Sequence, residues 1–266
     1  MNSDTNPDEN YIPPKVWEWN PENVGNLSVV NRPFSGATHE KVLPVGECSL
    51  QLYSMSTPNG QKVAIMLEEL LDQGVSNAGY DAHLINIRKG EQFSSGFVEI
   101  NPNSKTPALM DYDTTPPTRV FESGSILQYL ADKFDALVPK GHAGKTECRN
   151  WLFWQMGCAP YLGGGFGHFY FYSSVRMKYP VDRFTIEVKR ELDVLDKHLA
   201  KNLYMAGGEY SIADIAIWPW YGNLVLGNLY GASEFLDVAS YKHLVRWAKS
   251  IEQRPAVQRG IEVNRI

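Results

Sequence analysis

Apolar and polar side chains alternate through Ser49–Met55, with Leu50, Leu52 and Ser54 set against Gln51, Tyr53 and Met55. That pattern predicts a short strand, which Pro58 and Gly60 break. A new period follows in Val63, Ile65, Met66, Leu67, Leu70 and Leu71, at the three-to-four-residue spacing of a helix that stops at Gly74. Thr57 and Asn59 therefore fall at the start of a helix, where backbone N–H groups lack partners and the dipole is positive. Such a corner receives anions. A hydroxyl and a carboxamide add two donors, and simple helix capping is compatible with that role.

Tyr80–Asn86 reads as a second strand, parallel to the first because a helix connects them. A polar loop, Arg88–Ser95, leads through Phe97, Val98 and Ile100 to Asn101–Pro107. Ala108–Met110 and Val120–Phe121 then read as two short strands around a turn with Asp113, Pro116 and Pro117. Glu122 and Ser123 stand in the capping region of the next helix. The order βαβ, an irregular run, ββ, α describes a small α+β unit.

Asp135–Gly144, with Pro139 and two glycines, suits a linker. Beyond it the periods are helical, over Thr146–Cys158, Arg183–Leu199, Ile212–Leu226 and Tyr241–Arg254. Ser211–Asp214 forms a capping box with Asp in place of Glu, and Tyr210 and Ile215 are spaced for a hydrophobic staple. The almost wholly apolar third period predicts the buried axle of an all-α domain. Gly163–Tyr172, glycines followed by aromatics, fits either a wall of a substrate pocket or a helix break packed in aromatic core. Residues 1–47, rich in Asn, Pro and Gly with Tyr11, Trp17 and Trp19, suit an arm laid over the body better than a domain.

Composition narrows the function classes. A net charge of −5 with interleaved signs is unlike a nucleic-acid binder, whose basic residues cluster. No apolar run reaches the ~20 residues that cross a bilayer. The polar start Met1–Thr5 has no signal-like core, so a cytoplasmic protein is expected. Cys48, Cys148 and Cys158 form no disulfide framework, C-x-x-C pair or zinc pattern, and the six histidines show no ligand spacing. No metal is expected.

Taken in order, Thr57-Pro58-Asn59-Gly60, Gln92–Phe97, Asn101–Ser104, Thr106-Pro107, Phe121–Ile126 and the Ser211–Asp214 box resemble the cytosolic glutathione transferases, and within them the bacterial nu class. The resemblance spans residues 49–257. It implies a thioredoxin-like N-terminal domain (βαβαββα, 48–134), a linker (135–143), a helical C-terminal domain (144–266), an N-terminal extension (1–47) and a homodimer. It further implies glutathione as co-substrate, two molecules per site. A cis Pro107 would turn the Thr106 backbone to the cysteinyl part, Glu122 would take the γ-glutamyl ammonium and Ser123 its carboxylate. Asn31 and Gln92 would touch glutathione, Lys105 its glycine carboxylate, and Arg183, with His168 and Tyr170, the second molecule.

Most such enzymes hold the sulfur with Tyr, Ser or Cys at the first turn. Tyr53 and Ser54 lie on the strand here, and Ser56 is a rival by spacing alone. The nu-class pattern assigns the thiolate to Thr57 and Asn59, beside Pro58. Because thioredoxins carry C-x-x-C at this corner and this chain does not, the thiol must arrive with the ligand. That favours a glutathione-dependent disulfide reductase with modest peroxide reduction. Conjugation of glutathione to electrophiles and a non-catalytic binding module are the competing readings.

Overall fold

The computed structural model describes residues 11–22 and 29–266; the polar start Met1–Thr5 lies outside the described residues. Four strands, β1 (Leu50–Ser54), β2 (Tyr80–Leu84), β3 (Ala108–Asp111) and β4 (Thr118–Phe121), form one sheet in the order β2-β1-β3-β4. β1 and β2 run parallel, while β3 is antiparallel to both β1 and β4. Every residue of β1 is buried, as expected of a central strand covered on both faces.

Helix α1 (Pro58–Asp72) follows β1. Thr57 caps it from extended backbone, its hydroxyl oxygen accepting from the Gly60 N–H at 3.3 Å, and Pro58 occupies the first turn, where a missing N–H costs nothing. Gly60 is required by contact, since a Cβ there would stand 1.9 Å from the Met55 carbonyl oxygen. Two features of α1 depart from its apolar pattern. Leu71 is exposed, whereas Lys62 and Glu69 are buried.

Helix α2 (Ser95–Ile100) forms where the sequence reads as irregular, because Phe97 and Ile100 are buried against the sheet. Helix α3 (Ser123–Phe134) begins directly after Glu122, which adopts φ 69°. Two X–Pro bonds, Thr106–Pro107 and Thr115–Pro116, are cis. Residues 135–141 connect to α4 (His142–Pro160), so the helical unit starts slightly before the expected 144.

The helix does not break at the glycines. Tyr161–Tyr172 continues it with wide, π-type turns, closed by a bond from the Ser173 N–H to the His168 carbonyl five residues back. Leu162, Gly165, Phe166 and Gly167 face the core. α5 (Lys178–Leu199) then packs its apolar stripe inward. The apolar axle is also not one regular helix. It divides into α6 (Ile212–Ile217), a wide turn over Trp218–Gly222, and α7 (Asn223–Val225). Pro219 cannot donate to Ile215, and the wide turn absorbs that missing bond. α8 (Lys242–Glu252) follows, and α9 (Pro255–Glu262), which the sequence periods did not suggest, lies along α1.

The two halves are tied by charge as well as core. Arg254 holds buried Glu69 through two bonds of 2.6 Å, and Arg259 pairs with Glu68 at 2.7 Å and Asp72 at 2.9 Å. The N-terminal arm lies beside residues 91–96. Thr38 donates to the Phe93 carbonyl, His39 and Lys41 accept from Ser95 and Gly96, and the Arg32 guanidinium sits 4.1 Å from the Phe93 ring.

No helix among the described residues is long and apolar enough to cross a membrane. Nor do the described residues hold a cluster of three metal-ligating side chains.

One buried group gives this fold a pH signature. Glu191 on α5 accepts from the Tyr221 hydroxyl at 2.9 Å, and burial pushes its carboxyl up to about 7. A folded-state value above the unfolded ~4.3 means that the native state binds the extra proton. The stability it contributes is complete below about pH 4 and lost as pH rises to 7. Glu191→Gln is expected to raise the thermal midpoint at pH 8, leave it little changed at pH 5, and flatten the curve between; calorimetry across pH checks this.

Candidate active site

Where β1 turns into α1, the sheet domain, the helical domain and the arm enclose a cleft of ≈ 880 Å³. A smaller compartment of ≈ 420 Å³ adjoins it, bordered by the same Val30, Asn31, Thr57, Asn59, Lys105, Glu122 and Ser123. Gln92, Thr106 and Pro107 complete the smaller compartment, and Pro58 lines the larger. Ten of the eleven binding positions expected from the sequence thus border these two adjoining compartments.

The corner itself is armed with donors. With its oxygen occupied by Gly60 N–H, the Thr57 hydroxyl keeps its proton for the cleft. Asn59 is oriented from across the domain boundary, because Trp220 Nε1–H donates to its Oδ1 at 2.9 Å and leaves the amide N–H₂ to donate elsewhere. Trp220 reaches this position over Gly163, where a Cβ would stand 2.6 Å from the indole ring. The rival side chains are engaged elsewhere. Tyr53 donates to the Pro44 carbonyl at 2.7 Å, Ser54 accepts from Asn264 at 2.9 Å, and Ser56 donates to the Ile261 carbonyl at 2.7 Å.

Around the smaller compartment, Lys105 Nζ donates to the Val30 carbonyl at 3.2 Å and to Asn31 Oδ1 at 3.4 Å, which brings arm and loop together. Desolvation lowers its amine below the ordinary lysine value. Gln92 Nε2 donates to the Val29 carbonyl at 3.3 Å, and its Oε1 is buried without a partner. Asn103 donates to exposed Glu122 at 3.3 Å, while Ser123 is buried at the first turn of α3.

Two expected residues lie elsewhere. Arg183 is not brought to the cleft; it pairs with Glu187 at 2.9 Å, one turn along an exposed face of α5. Tyr170 stacks on Phe166 at 4.9 Å and packs against Phe235. The wide helical turns explain that shift of phase, for they aim Gly163, Gly164, His168 and Tyr172 at the cleft and turn Phe166 and Tyr170 inward.

Sequence reasoning missed Lys62, Gln155 and Trp220, all cleft residues. A lysine between the apolar positions of α1 was the one visible signal for Lys62. Trp220 was hidden inside a run that reads as pure core. Trp17 and Trp19 of the arm, 6.1 Å apart, border the same cleft. None of the three cysteines borders either compartment: Cys48 lies beside Asp81, Cys148 is in the core, and burial beside Glu191 pushes the Cys158 thiol up to about 12.

Models of the glutathione S-transferase N-terminal and C-terminal domains match residues 57–133 and 179–250. The chain is also 62% identical over 258 residues to the disulfide-bond oxidoreductase YghU of Escherichia coli, covering 97% of this chain and 90% of that one. The chain belongs to the glutathione S-transferase family. A second E. coli protein of that family, the disulfide-bond oxidoreductase YfcG, is 34% identical over 80% of this chain and 94% of its own. Among solved structures, the glutathione transferase YghU of Streptococcus pneumoniae, complexed with glutathione, superposes with a TM-score of 0.94 at 55% identity, covering 96% of this chain and 98% of that one. A glutathione transferase from Burkholderia graminis with two glutathione molecules per subunit gives 0.74 at 40% identity, covering 80% and 87%.

Because Trp220 orients Asn59, Trp220→Phe should lower turnover about 2- to 13-fold, the worth of one modest hydrogen bond. The thermal midpoint should move little, since an aromatic ring still fills the space. Steady-state kinetics beside a melting curve will show the split.

Proposed function

We propose that this family member is a glutathione-dependent disulfide oxidoreductase, in which Thr57 and Asn59 donate hydrogen bonds to the thiolate of bound glutathione. The observation that carries the reading is the corner of α1: two side-chain donors and a helix N-terminus face a cleft that no protein cysteine borders. A thiolate held there is the missing nucleophile.

Lowering a thiol from about 8.5 toward neutrality takes roughly 1.4 kcal/mol per unit, and two charge-assisted bonds with a helix end are of that size. The thiolate sulfur attacks one sulfur of a substrate disulfide, forming a glutathionyl mixed disulfide and expelling the other half as thiolate, which takes up a proton. A second glutathione thiolate attacks the mixed disulfide, giving oxidised glutathione and the second reduced thiol. Two glutathiones are oxidised for each disulfide reduced, so electrons and protons balance. The larger compartment is wide enough for the second tripeptide, and the two-glutathione relative supports that stoichiometry.

Asn31, Gln92, Lys105, Thr106, Pro107, Glu122 and Ser123 hold the first tripeptide in this reading, with His168 and Tyr172 bordering the second. The resemblance to the nu class carries with it a cytoplasmic homodimer and weak reduction of organic peroxides by the same thiolate.

The enzyme is to be assayed side by side with hydroxyethyl disulfide and chlorodinitrobenzene in the presence of glutathione. Disulfide turnover well above conjugation is the expected result. Conjugation above disulfide turnover would move the reading to a detoxifying transferase, and inactivity toward both to a binding module.

A further inference from the structure

A second pocket, ≈ 550 Å³ in volume, shares two wall residues, Pro58 and Leu229, with the larger compartment of the cleft. Its wall is a chain of amide and hydroxyl groups drawn from both domains. Asn228 Nδ2 donates to Asn223 Oδ1 at 3.3 Å, Asn223 Nδ2 to Gln61 Oε1 of α1 at 3.1 Å, and Gln61 Nε2 to Ser56 Oγ at 3.3 Å. A primary amide has two N–H donors and an acceptor oxygen, so Asn228 keeps an N–H and its oxygen, and Gln61 keeps an N–H. Asn264, just beyond α9, spends both N–H groups on Ser54 Oγ at 2.9 Å and the His83 carbonyl at 3.2 Å, and keeps its oxygen. The two charged side chains that border the pocket are both cationic. Arg265 pairs with Glu262, while Arg88 has no carboxylate within ion-pair distance among the described residues.

Amide donors and acceptors side by side match the N–H and C=O groups of a peptide backbone, and a guanidinium adds a preference for carboxylate side chains. The position of the pocket agrees with that chemistry. Thr57 and Pro58 are consecutive, with Cα atoms about 3.8 Å apart, and an extended peptide advances roughly 3.3 Å per residue. A disulfide held at the Thr57 corner therefore has the residues two or three places along its chain at the second pocket. We propose that this pocket is a docking site for the peptide chain that carries the substrate disulfide, with an acidic residue of that chain at Arg88. The substrate class is then cysteine disulfides of peptides and proteins with acidic flanking residues. This assignment rests on the glutathione-dependent reading above.

The exchange chemistry is unchanged. The bound glutathione thiolate attacks one sulfur of the peptide disulfide, and the other half leaves as a thiolate that takes up a proton. A second glutathione then resolves the mixed disulfide, so two glutathiones are oxidised for each disulfide reduced. What the pocket adds is selection. The chain as a whole carries a net charge of −5 and repels acidic partners at long range, whereas Arg88 and Arg265 reverse the sign locally. At physiological ionic strength that local field reaches only about 8 Å, so it reads the residues beside the cysteine rather than the charge of the whole partner.

The test compares hydroxyethyl disulfide with three short peptides whose single cysteine is disulfide-bonded to mercaptoethanol, with acidic, neutral or basic residues two and three places from the cysteine. The parent should favour the acidic peptide over the basic one about 3- to 10-fold in kcat/KM, through KM, as exposed charge pairs allow. Arg88→Gln should bring that ratio within about 2-fold of unity, and Arg88→Glu should reverse it. Asn228→Ala should raise KM for all three peptides about 2- to 13-fold, the worth of one hydrogen bond. Both side chains are exposed, so the variants keep the fold, and their turnover of hydroxyethyl disulfide should match the parent's. A parent indifferent to peptide charge, a preference that survives Arg88→Gln, or variants that slow hydroxyethyl disulfide and peptides alike overturns the docking site while leaving the reductase in place. A parent that reduces neither hydroxyethyl disulfide nor any peptide overturns the proposed function, and the docking site with it.

Discussion

Replacing Thr57 and Asn59 together by alanine is expected to lower kcat/KM for a small disulfide about 100- to 1,000-fold. Removing one preorganised donor from a site of developing charge costs about that much in other enzymes, and the double variant removes both side-chain donors while leaving the helix end in place. Glutathione affinity should change only a few-fold. The other side chains that border the smaller compartment, among them Gln92, Lys105 and Ser123, are untouched. The bound thiol should also titrate nearer the ordinary ~8.5 than in the parent, which thiolate absorbance across pH would follow. Unchanged turnover in a folded double variant would remove these residues from the chemistry. A melting curve must accompany the kinetics, since Thr57 also caps α1, and losing that cap costs about 1 kcal/mol.

Asp214→Ala should have the largest effect on stability. This fully buried carboxylate accepts from four donors: Met205 N–H at 2.9 Å, Trp247 Nε1–H at 2.8 Å, and both Ser211 N–H and Ser211 Oγ–H at 3.1 Å. Alanine would leave all four in the core, where each unsatisfied group costs about 1–3 kcal/mol. A loss on the order of 5 kcal/mol or more follows, against the ~5–15 kcal/mol that holds a typical domain folded. Burial raises the Asp214 carboxyl to about 6, yet the four donors are arranged for the ionised form. Asp214→Asn, which keeps the volume but sets an N–H₂ among N–H donors, should therefore recover little of the loss. Urea unfolding of the three proteins at pH 7.5 provides the measurement. A shift below about 1 kcal/mol for Asp214→Ala would mean that the capping box is dispensable.

How much of this site was legible in advance depended on how local each feature is. Thr57, Pro58 and Asn59 are neighbours at a strand-to-helix turn, and the change of period from two to three-to-four marks the turn without tertiary information. The capping box at Ser211 and Asp214 is equally local, and the structure contains it. Phase within the helical domain was less legible. Pro219 and the run of glycines after Pro160 are absorbed by wide turns rather than breaks, so a residue placed by counting 3.6 per turn points the wrong way. The resemblance implies Tyr170 at the second molecule, whereas the wide turns set Tyr172 at the cleft and Tyr170 inward. Arg183 shows a different limit, because a charged side chain on a helix meets an i,i+4 partner as readily as a ligand, and spacing does not separate the two.

The sequence by itself determined the order of the four strands and of most of the helices, the division into a small mixed-sheet unit and a helical unit, and the donor-bearing corner at Thr57 and Asn59. Those features follow from periodicity, caps and breakers, which act within a few residues. Only the tertiary structure decided which side chains complete the corner. Trp220 reaches Asn59 across 161 positions, Lys62 meets Gln155 across 93, and Ser56 is drawn away by Ile261 across 205. Partners so far apart in the chain leave no local pattern, because their meeting is fixed by how the two domains and the arm pack rather than by any neighbour in sequence.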